Sequence, residues 1–223
     1  MEKGILYIVA TPIGNLEDIT LRALRILKEV DLVACEDTRV TRKLLSHYSI
    51  ETQAIVYHQH TKDDKIQKII EQLLEGKNVA LVTDAGTPGV SDPGNILVAS
   101  AIENEIVVLP IPGASALASI ISVAGIDMQQ FSFLGFPPHK KGRETYFKKV
   151  AASEIPVIYY ESPHRVIKNL EMLQNFAPEK KIILGRELTK MFEEVVRGEI
   201  SEISAYFVEN PGKVKGEFVI VVY

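Results

Sequence analysis

Cysteine and positive charge are both scarce in this sequence of 223 residues. Cys35 is the only cysteine, which excludes an intramolecular disulfide and any zinc site built from paired cysteines. Lysine and arginine together number 25 against 29 aspartates and glutamates, for a formal net charge of −4. Domains that bind nucleic acid through their overall charge are usually strongly basic. A nucleic-acid partner would therefore have to bind to a local cluster of basic residues.

Long apolar runs are absent as well. The first run, from Ile5 to Ala10, stops at Thr11-Pro12, whereas a membrane span needs roughly 20 apolar residues and a signal peptide needs a longer apolar core. We interpret the run as a buried strand and expect a cytoplasmic protein with no membrane partner. His58 and His60 alternate after a strand but lack further ligands at a suitable spacing, so we expect no metal site.

Short apolar runs alternate with amphipathic stretches five times in the first half of the chain, a pattern typical of βα repeats with a parallel sheet. After Gly125 the composition changes: several aromatic residues are followed by two prolines and a basic segment. We therefore predict an α/β protein with an N-terminal domain over residues 1–113 and a C-terminal mixed-sheet domain over residues 114–223. Ser162 as N-cap and Pro163 at the first helical position predict a helix start there.

The segment VALVTDAGTPGVSDPG, residues 79–94, is the most informative stretch. A buried strand leads directly into a loop rich in glycine and proline, and ligands of open α/β sheets bind beyond the carboxyl ends of strands. The loop has no lysine or arginine, unlike a phosphate-binding loop, so it suits a ligand with positive charge. S-adenosylmethionine carries an ammonium and a sulfonium that Asp84 or Asp92 can face. A plain βα turn is the alternative.

Eight segments, in order and over nearly the whole chain, resemble the ribosomal RNA small subunit methyltransferase I family of the tetrapyrrole methylases. They are ATPIGNLEDIT (10–20), EDTR (36–39), TDAGTPGVSDPG (83–94), PGASA (112–116), FLGFPP (133–138), YESPHR (160–165), RELTKMFEE (186–194) and KGEFVIVV (215–222). The resemblance implies two α/β domains with S-adenosylmethionine in the cleft between them. It also implies a homodimer that methylates the ribose 2′-hydroxyl of a cytidine in the decoding region of 16S rRNA, with the 30S subunit as the partner.

The resemblance also suggests residues for each role. The expected cofactor-binding residues are Pro12, Asp84, Ala85, Gly86, Thr87, Ala114, Ser115, Tyr160, Glu161 and Glu217. The expected RNA-binding residues are Arg39, Arg42, Lys140, Lys141, Arg143, Arg165, Arg186 and Lys190. Of these, Lys140, Lys141 and Arg143 stand in a segment bounded by glycine and proline with aromatic neighbours, which suits looped RNA whose bases stack on rings.

Three carboxylates are candidates for the general base: Glu36, Asp37 and Glu187. Glu36 and Asp37 follow the second strand and so reach the same sheet edge as the TDAGTP loop, although acids at a helix N-terminus are favourable without any catalytic role. Alignment of the reacting atoms can contribute about 7–11 kcal/mol, more than the roughly 10²- to 10⁴-fold typical of a general base. Positioning therefore comes first, and the identity of the base stays open.

Two other functions stay open on the sequence alone. The first is methylation of a carbon of a tetrapyrrole, as in the corrin and sirohaem branches of the same fold. The second is a module that binds S-adenosylmethionine or RNA without catalysis. Cofactor binding without methyl transfer to any RNA would favour the module.

Overall fold

The computed structural model describes residues 2–57 and 63–223, and His58 and His60 lie outside these residues. The chain forms two compact α/β units, Met1–Ser115 and Ala116–Tyr223, where the sequence led us to expect a boundary after residue 113. Among the described residues, no helix has the length and apolar character needed to cross a membrane.

Unit 1 is built around a parallel sheet in the strand order β3-β2-β4-β1-β5. Its elements are β1 (Ile5–Val9), α1 (Leu21–Glu29), β2 (Leu32–Cys35), α2 (Thr38–His47), β3 (Ala54–Val56), α3 (Asp63–Leu74), β4 (Val79–Leu81), α4 (Asn95–Glu103) and β5 (Val107–Ile111). A short 3₁₀ helix, Leu16–Asp18, precedes α1. Because all five strands are parallel, their carboxyl ends share one edge of the sheet.

Both faces of this sheet are covered by helices, as the near-continuous apolar strands predict. Leu6 and Leu81 belong to a core cluster with residues of α3 and α4, while Val9, Val33 and Ala80 belong to a second cluster with residues of α1 and α2. Neighbouring strand residues such as Ala80 and Leu81 thus serve opposite faces, because side chains alternate along a strand. The loops at the carboxyl edge stand on this rigid, two-sided core.

Unit 2 contains a mixed sheet in the order β6-β7-β10-β8-β9. Its elements are α5 (Ala116–Ser122), β6 (Ser132–Phe133), α6 (Arg143–Ala151), β7 (Val157–Glu161), α7 (Val166–Phe176), β8 (Lys181–Arg186), β9 (Glu194–Glu199), α8 (Ile200–Glu209) and β10 (Phe218–Val222). Strand β6 pairs parallel with β7, and the other pairs are antiparallel. Phe147, Tyr159 and Phe207 are the largest side chains buried in its core.

The predicted start of α7 at Pro163 is wrong. The helix begins at Val166, with Arg165 as its N-cap. The carbonyl of Ser162 accepts the N–H groups of Arg165 and Val166, both at 3.1 Å, which closes a turn ahead of the helix. The Ser162 hydroxyl accepts the Arg165 Nε–H at 3.1 Å instead of capping the helix. A tertiary role for Arg165 therefore overrides the local capping signal.

Candidate active site

The loops that follow β1, β4 and β5 are joined by hydrogen bonds at the carboxyl edge of the parallel sheet. Thr11 and Gly86 exchange two backbone hydrogen bonds, of 2.9 and 3.0 Å. The Thr11 hydroxyl donates to the Thr83 carbonyl at 3.1 Å, and the Thr87 hydroxyl donates to the Ala114 carbonyl at 3.1 Å. The structure thus brings Asp84 to Thr87 together with the loops that contain Pro12, Ala114 and Ser115.

Glycine allows two of these backbones to approach closely. Gly86 is buried and has a φ of +83°, and a Cβ there would lie 3.4 Å from Ile13 Cγ2. A Cβ on Gly113 would lie 3.0 Å from the Cβ of Ala10. A side chain at Gly113 would force the two loops apart, and the positive φ of Gly86 is one that other residues rarely adopt, so both positions favour glycine.

Asp84 joins this edge to the loop after β2. Its Oδ1 accepts the backbone N–H of Asp37 at 3.1 Å. Loss of hydration raises the pKa of the Asp84 carboxyl, and the nearby negative charge of Asp37 raises it further. No lysine or arginine stands between residues 83 and 94. A cation bound beside Asp84 would relieve this unfavourable environment of the carboxylate.

Asp37 lies in the opposite electrostatic environment. It is the N-cap of α2, and its Oδ1 accepts the backbone N–H of Arg39 at 2.8 Å. The Arg39 guanidinium also donates to both carboxylate oxygens, with a shortest distance of 2.6 Å. These hydrogen bonds from Arg39 lower the pKa of Asp37 to about 2. A carboxylate with so little affinity for a proton is poorly matched to general-base catalysis near neutral pH.

Glu36 stands between Asp37 and the end of β2, and its side chain is half-buried. Cys35 precedes it inside the core, where the thiol donates to the Ile55 carbonyl at 3.3 Å. Burial raises the pKa of the Cys35 thiol, which keeps it protonated and unreactive.

The third candidate base, Glu187, belongs to unit 2 and is already bound to a cation. Its Oε1 accepts the Lys190 ammonium at 2.8 Å and the Glu217 N–H at 3.0 Å. Burial alone would raise the pKa of Glu187, but these two donors hold it below its usual value. Lys190 also lies 3.0 Å from the Glu217 carboxylate, which is otherwise exposed. The charge of Lys190 is thus balanced within unit 2.

Glu161, expected at the cofactor, is 2% exposed. Its carboxylate accepts the Ser162 N–H at 2.7 Å and a hydrogen bond from the Asn169 side chain, and it lies 3.3 Å from the Arg165 guanidinium. Both oxygens therefore have partners inside unit 2, which argues for a structural role. Neighbouring Tyr160 is half-buried and packs against Phe136 at a ring distance of 5.4 Å.

The cations expected at RNA differ in their exposure. Lys140 and Lys141 are exposed in the turn before α6, and Arg143 donates from Nε to the Pro138 carbonyl at 3.0 Å. Arg39 and Arg42 are exposed on α2.

Arg186 corrects the sequence interpretation, because it is only 8% exposed and lies 3.5 Å from Glu194. This burial argues against a surface contact of Arg186 with RNA. Strand β8 is buried along most of its length, so its last residue is drawn into the core together with the strand.

Two polar residues that matter to these networks were not identified from the sequence. Thr11 is buried and links the loops after β1 and β4. Asn169 is buried on the apolar face of α7 beside Val166 and Leu170, and a polar residue at such a position was the available signal. In the described part of the chain, no cluster of three or more potential metal ligands occurs.

The comparisons with known proteins cover nearly the whole chain. The family model for tetrapyrrole (corrin/porphyrin) methylases matches residues 5–204. The ribosomal RNA small subunit methyltransferase I of Halalkalibacterium halodurans is 45% identical over 222 residues, covering 99% of this chain and 76% of the relative. That of Leptospira biflexa is 45% identical over 223 residues, covering 99% and 91%. The chain belongs to the ribosomal RNA small subunit methyltransferase I family of the tetrapyrrole methylases.

Solved structures share the fold of this ribosomal RNA small subunit methyltransferase I relative. A cobalt precorrin-4 methyltransferase superposes with a TM-score of 0.71 at 16% identity, covering 97% of this chain and 94% of the other. A diphthine synthase gives a TM-score of 0.76 at 15% identity, covering 98% and 89%. At such low identity the likeness concerns the fold alone, and it confirms the predicted two-domain α/β architecture.

Proposed function

We propose that this protein transfers a methyl group from S-adenosylmethionine to the 2′-hydroxyl of a cytidine in the decoding region of 16S rRNA. The carrying observation is the 45% identity, along almost the whole chain, to relatives named ribosomal RNA small subunit methyltransferase I. The ribose position and the cytidine follow from the resemblance of the eight sequence segments. The proposal places the protein in the cytoplasm, with the 30S subunit as its substrate particle.

The residues at the carboxyl edge of unit 1 fit S-adenosylmethionine. The cofactor supplies a methyl group activated by a neighbouring sulfonium. Asp84 offers a carboxylate to the ammonium or the sulfonium in a loop that has no lysine or arginine of its own, although the nearby charge of Arg39 already lowers the pKa of Asp84 in part. Gly86 has no side chain and so leaves space for the cofactor beside these loops, and Pro12, Ala85, Thr87, Ala114 and Ser115 belong to the same loops.

Glu36 is our proposed proton acceptor for the 2′-hydroxyl. It stands at the carboxyl end of β2, beside the residue that hydrogen-bonds Asp84. The choice of Glu36 rests on this position alone. Asp37 and Glu187 have lowered pKa values and bind Arg39 and Lys190. We therefore assign Asp37 to the positioning of Arg39 and of α2, and Glu187 to the loop before β9. Alignment of the hydroxyl by the fixed loops supplies most of the rate enhancement.

The contributions of unit 2 are proposals of the same kind. We retain Tyr160 and Glu217 as cofactor contacts and assign Glu161 to the support of Tyr160 and α7, because its carboxylate is occupied by Arg165 and Asn169. Lys140, Lys141 and Arg143 are the proposed RNA contacts of unit 2. Arg39 and Arg42 are those of unit 1.

Self-association as a homodimer is part of the proposal. Edge strand β5 of unit 1 carries Val107 and Leu109, both exposed apolar side chains, which supports a protein partner at this edge.

A methyl-transfer assay tests the proposed function. Radiolabelled S-adenosylmethionine is offered with 30S subunits from cells that lack this protein, and free 16S rRNA and a tetrapyrrole precursor serve as parallel acceptors. Nuclease mapping should place the label on the ribose of one decoding-region cytidine. Label on the tetrapyrrole alone would overturn the assignment, and cofactor binding with no label in any acceptor would point to a binding module.

A further inference from the structure

Unit 2 contains a surface groove that the proposed chemistry does not use. We call it the Phe136 groove. It has a volume of about 610 Å³ and is lined by Phe136, Pro137, Pro138, His139, His164 and Arg165. Small-molecule sites commonly have roughly 300–1,000 Å³. The groove therefore has room for a nucleobase.

Its aromatic wall is exposed and held in position. Phe136 is 51% exposed, although phenylalanine is among the residues most often buried in proteins. Its ring packs against Tyr160 at 5.4 Å, and Tyr160 packs in turn against Phe133 at 5.0 Å. The flanking Pro137 restricts the backbone. The groove thus presents a fixed apolar ring face, which suits a flat ligand.

Arg165 lines the same groove, and its guanidinium is held in place by hydrogen bonds. Arg165 donates from Nε to the Ser162 hydroxyl and from Nη1 to the Pro137 carbonyl, both at 3.1 Å. Its Nη2 lies 3.3 Å from Glu161. These contacts restrain the guanidinium plane while Arg165 still lines the groove. Arginine planes and aromatic rings are the surfaces on which proteins stack unpaired RNA bases.

The charge around the groove also favours a nucleotide. No acidic residue lines it, and the exposed Lys140 and Lys141 follow His139 directly in the chain. The nearest acid along that segment, Glu144, is paired with Lys148 at 2.6 Å. The exposed imidazoles of His139 and His164 add hydrogen-bonding groups for base edges.

We propose that the Phe136 groove binds one unstacked base of the substrate RNA, with the base against the Phe136 ring and the neighbouring phosphates near Lys140 and Lys141. This proposal rests on the proposed function, and it adds a recognition site for a nucleotide other than the one that is methylated. Such a site would hold the RNA strand in register while the target ribose is aligned elsewhere.

Substitution of Phe136 tests the proposal. Phe136→Leu keeps apolar bulk but removes the ring, Phe136→Tyr keeps the ring, and Phe131→Ala removes a second exposed phenylalanine that does not line the groove. Binding of the full-length protein to unmethylated 30S subunits is measured with S-adenosylhomocysteine present. We expect Phe136→Leu to weaken binding by about 5- to 150-fold, the usual effect of losing one stacked base. Phe136→Tyr and Phe131→Ala should bind like the wild type.

Three outcomes would overturn the proposal while leaving the proposed function intact. In the first, Phe136→Leu binds 30S subunits as tightly as Phe131→Ala does and still methylates them. Alternatively, its affinity for S-adenosylmethionine falls in parallel, which would mean that Phe136 only supports Tyr160. The third outcome is a change of oligomeric mass without a change in RNA affinity, which would assign the groove to a second copy of the chain. If the wild type neither binds nor methylates 30S subunits, the proposed function fails first.

Photo-crosslinking provides a readout that does not depend on mutant stability. Decoding-region RNA containing 4-thiouridine at single unpaired positions is irradiated with the wild-type protein, and the crosslinked peptides are identified by mass spectrometry. We expect one RNA position to crosslink within residues 136–139 or 164–165. Efficient crosslinks confined to other segments would contradict the proposal.

Discussion

Two aspartates at the carboxyl edge of unit 1 illustrate how local environment divides roles between identical side chains. Asp37 is surrounded by N–H donors from Arg39, and its pKa is lowered to about 2. Asp84 loses hydration and faces the charge of Asp37, and its pKa is raised. Asp37 therefore stays ionised and structural, while Asp84 is the carboxylate that gains from a bound cation.

Asp84→Asn should weaken S-adenosylmethionine binding, because it removes the carboxylate that faces a cationic group. The loss of one hydrogen bond to a charged group corresponds to about 10- to 150-fold in affinity. Isothermal titration calorimetry at neutral pH measures this, with Asp127→Asn in unit 2 as the control. Unchanged affinity in Asp84→Asn would exclude the contact.

The same contact predicts a pH dependence. Because the pKa of Asp84 is raised, its carboxylate becomes protonated at a higher pH than an ordinary aspartate, for which the value is about 3.9. Cofactor affinity of the wild type should fall as the pH falls through that raised pKa, and Asp84→Asn should show no such change. Parallel pH profiles for the two proteins would contradict this account.

Glu36→Gln tests the proposed proton acceptor. The substitution keeps the size and hydrogen-bonding capacity of the side chain but removes its basicity, so we expect kcat to fall by about 10²- to 10⁴-fold. Affinity for S-adenosylmethionine and for 30S subunits should be retained. Single-turnover methylation measures the chemical step directly. A loss of less than threefold would mean that positioning alone carries the reaction.

At the scale of elements, a buried polar network joins the end of β7 to the start of α7. Glu161 contacts Ser162, Arg165 and Asn169, and Asn169 is fully buried. The sequence predicted a helix near this position but not this network. The burial of Glu161 and its contact with Asn169, eight positions further on, cannot be inferred from local helix and turn propensities. The same network explains why α7 starts three residues later than Ser162-Pro163 predicted.

Glu161→Ala should destabilise unit 2 by about 3–5 kcal/mol, since it leaves buried partners of a carboxylate unpaired. Urea unfolding followed by circular dichroism measures the change, and Glu171→Ala, exposed on α7, is the control that should stay within about 0.5 kcal/mol of the wild type. If Glu161→Ala is as stable as the control and only S-adenosylmethionine binding is lost, Glu161 contacts the cofactor as the sequence first suggested.

At the scale of the whole molecule, a net charge of −4 must be reconciled with an RNA substrate. Several of the expected RNA-binding cations are paired with carboxylates of the protein: Arg39 with Asp37, Arg165 with Glu161, Lys190 with Glu187 and Glu217, and Arg186 with Glu194. Lys140 and Lys141 are exposed in the segment before α6. RNA binding should therefore depend on few phosphate contacts and only moderately on salt.

The double variant Lys140→Ala/Lys141→Ala should weaken binding to 30S subunits without changing which nucleotide is methylated. Each lost phosphate contact should reduce the slope of log K against log salt by about 0.7 to 0.9. Fluorescence anisotropy over a series of potassium chloride concentrations measures both quantities, and Lys68→Ala on α3 is the control. An unchanged slope in the double variant would remove these lysines from the RNA contact.

The sequence by itself determined the α/β fold class, the alternation of strands and helices, and the loop from Asp84 to Thr87, because apolar periodicity and glycine-proline turns are local signals. The family was indicated by the resemblance of the eight segments. Only the tertiary structure decided which polar groups meet. It placed Thr11 against Gly86 and Asp37 against Asp84, and it buried Glu161 and Arg186. Residues so far apart in the chain come into contact only through tertiary packing. Burial then decides whether a charged side chain is accessible to a ligand or is paired inside the protein.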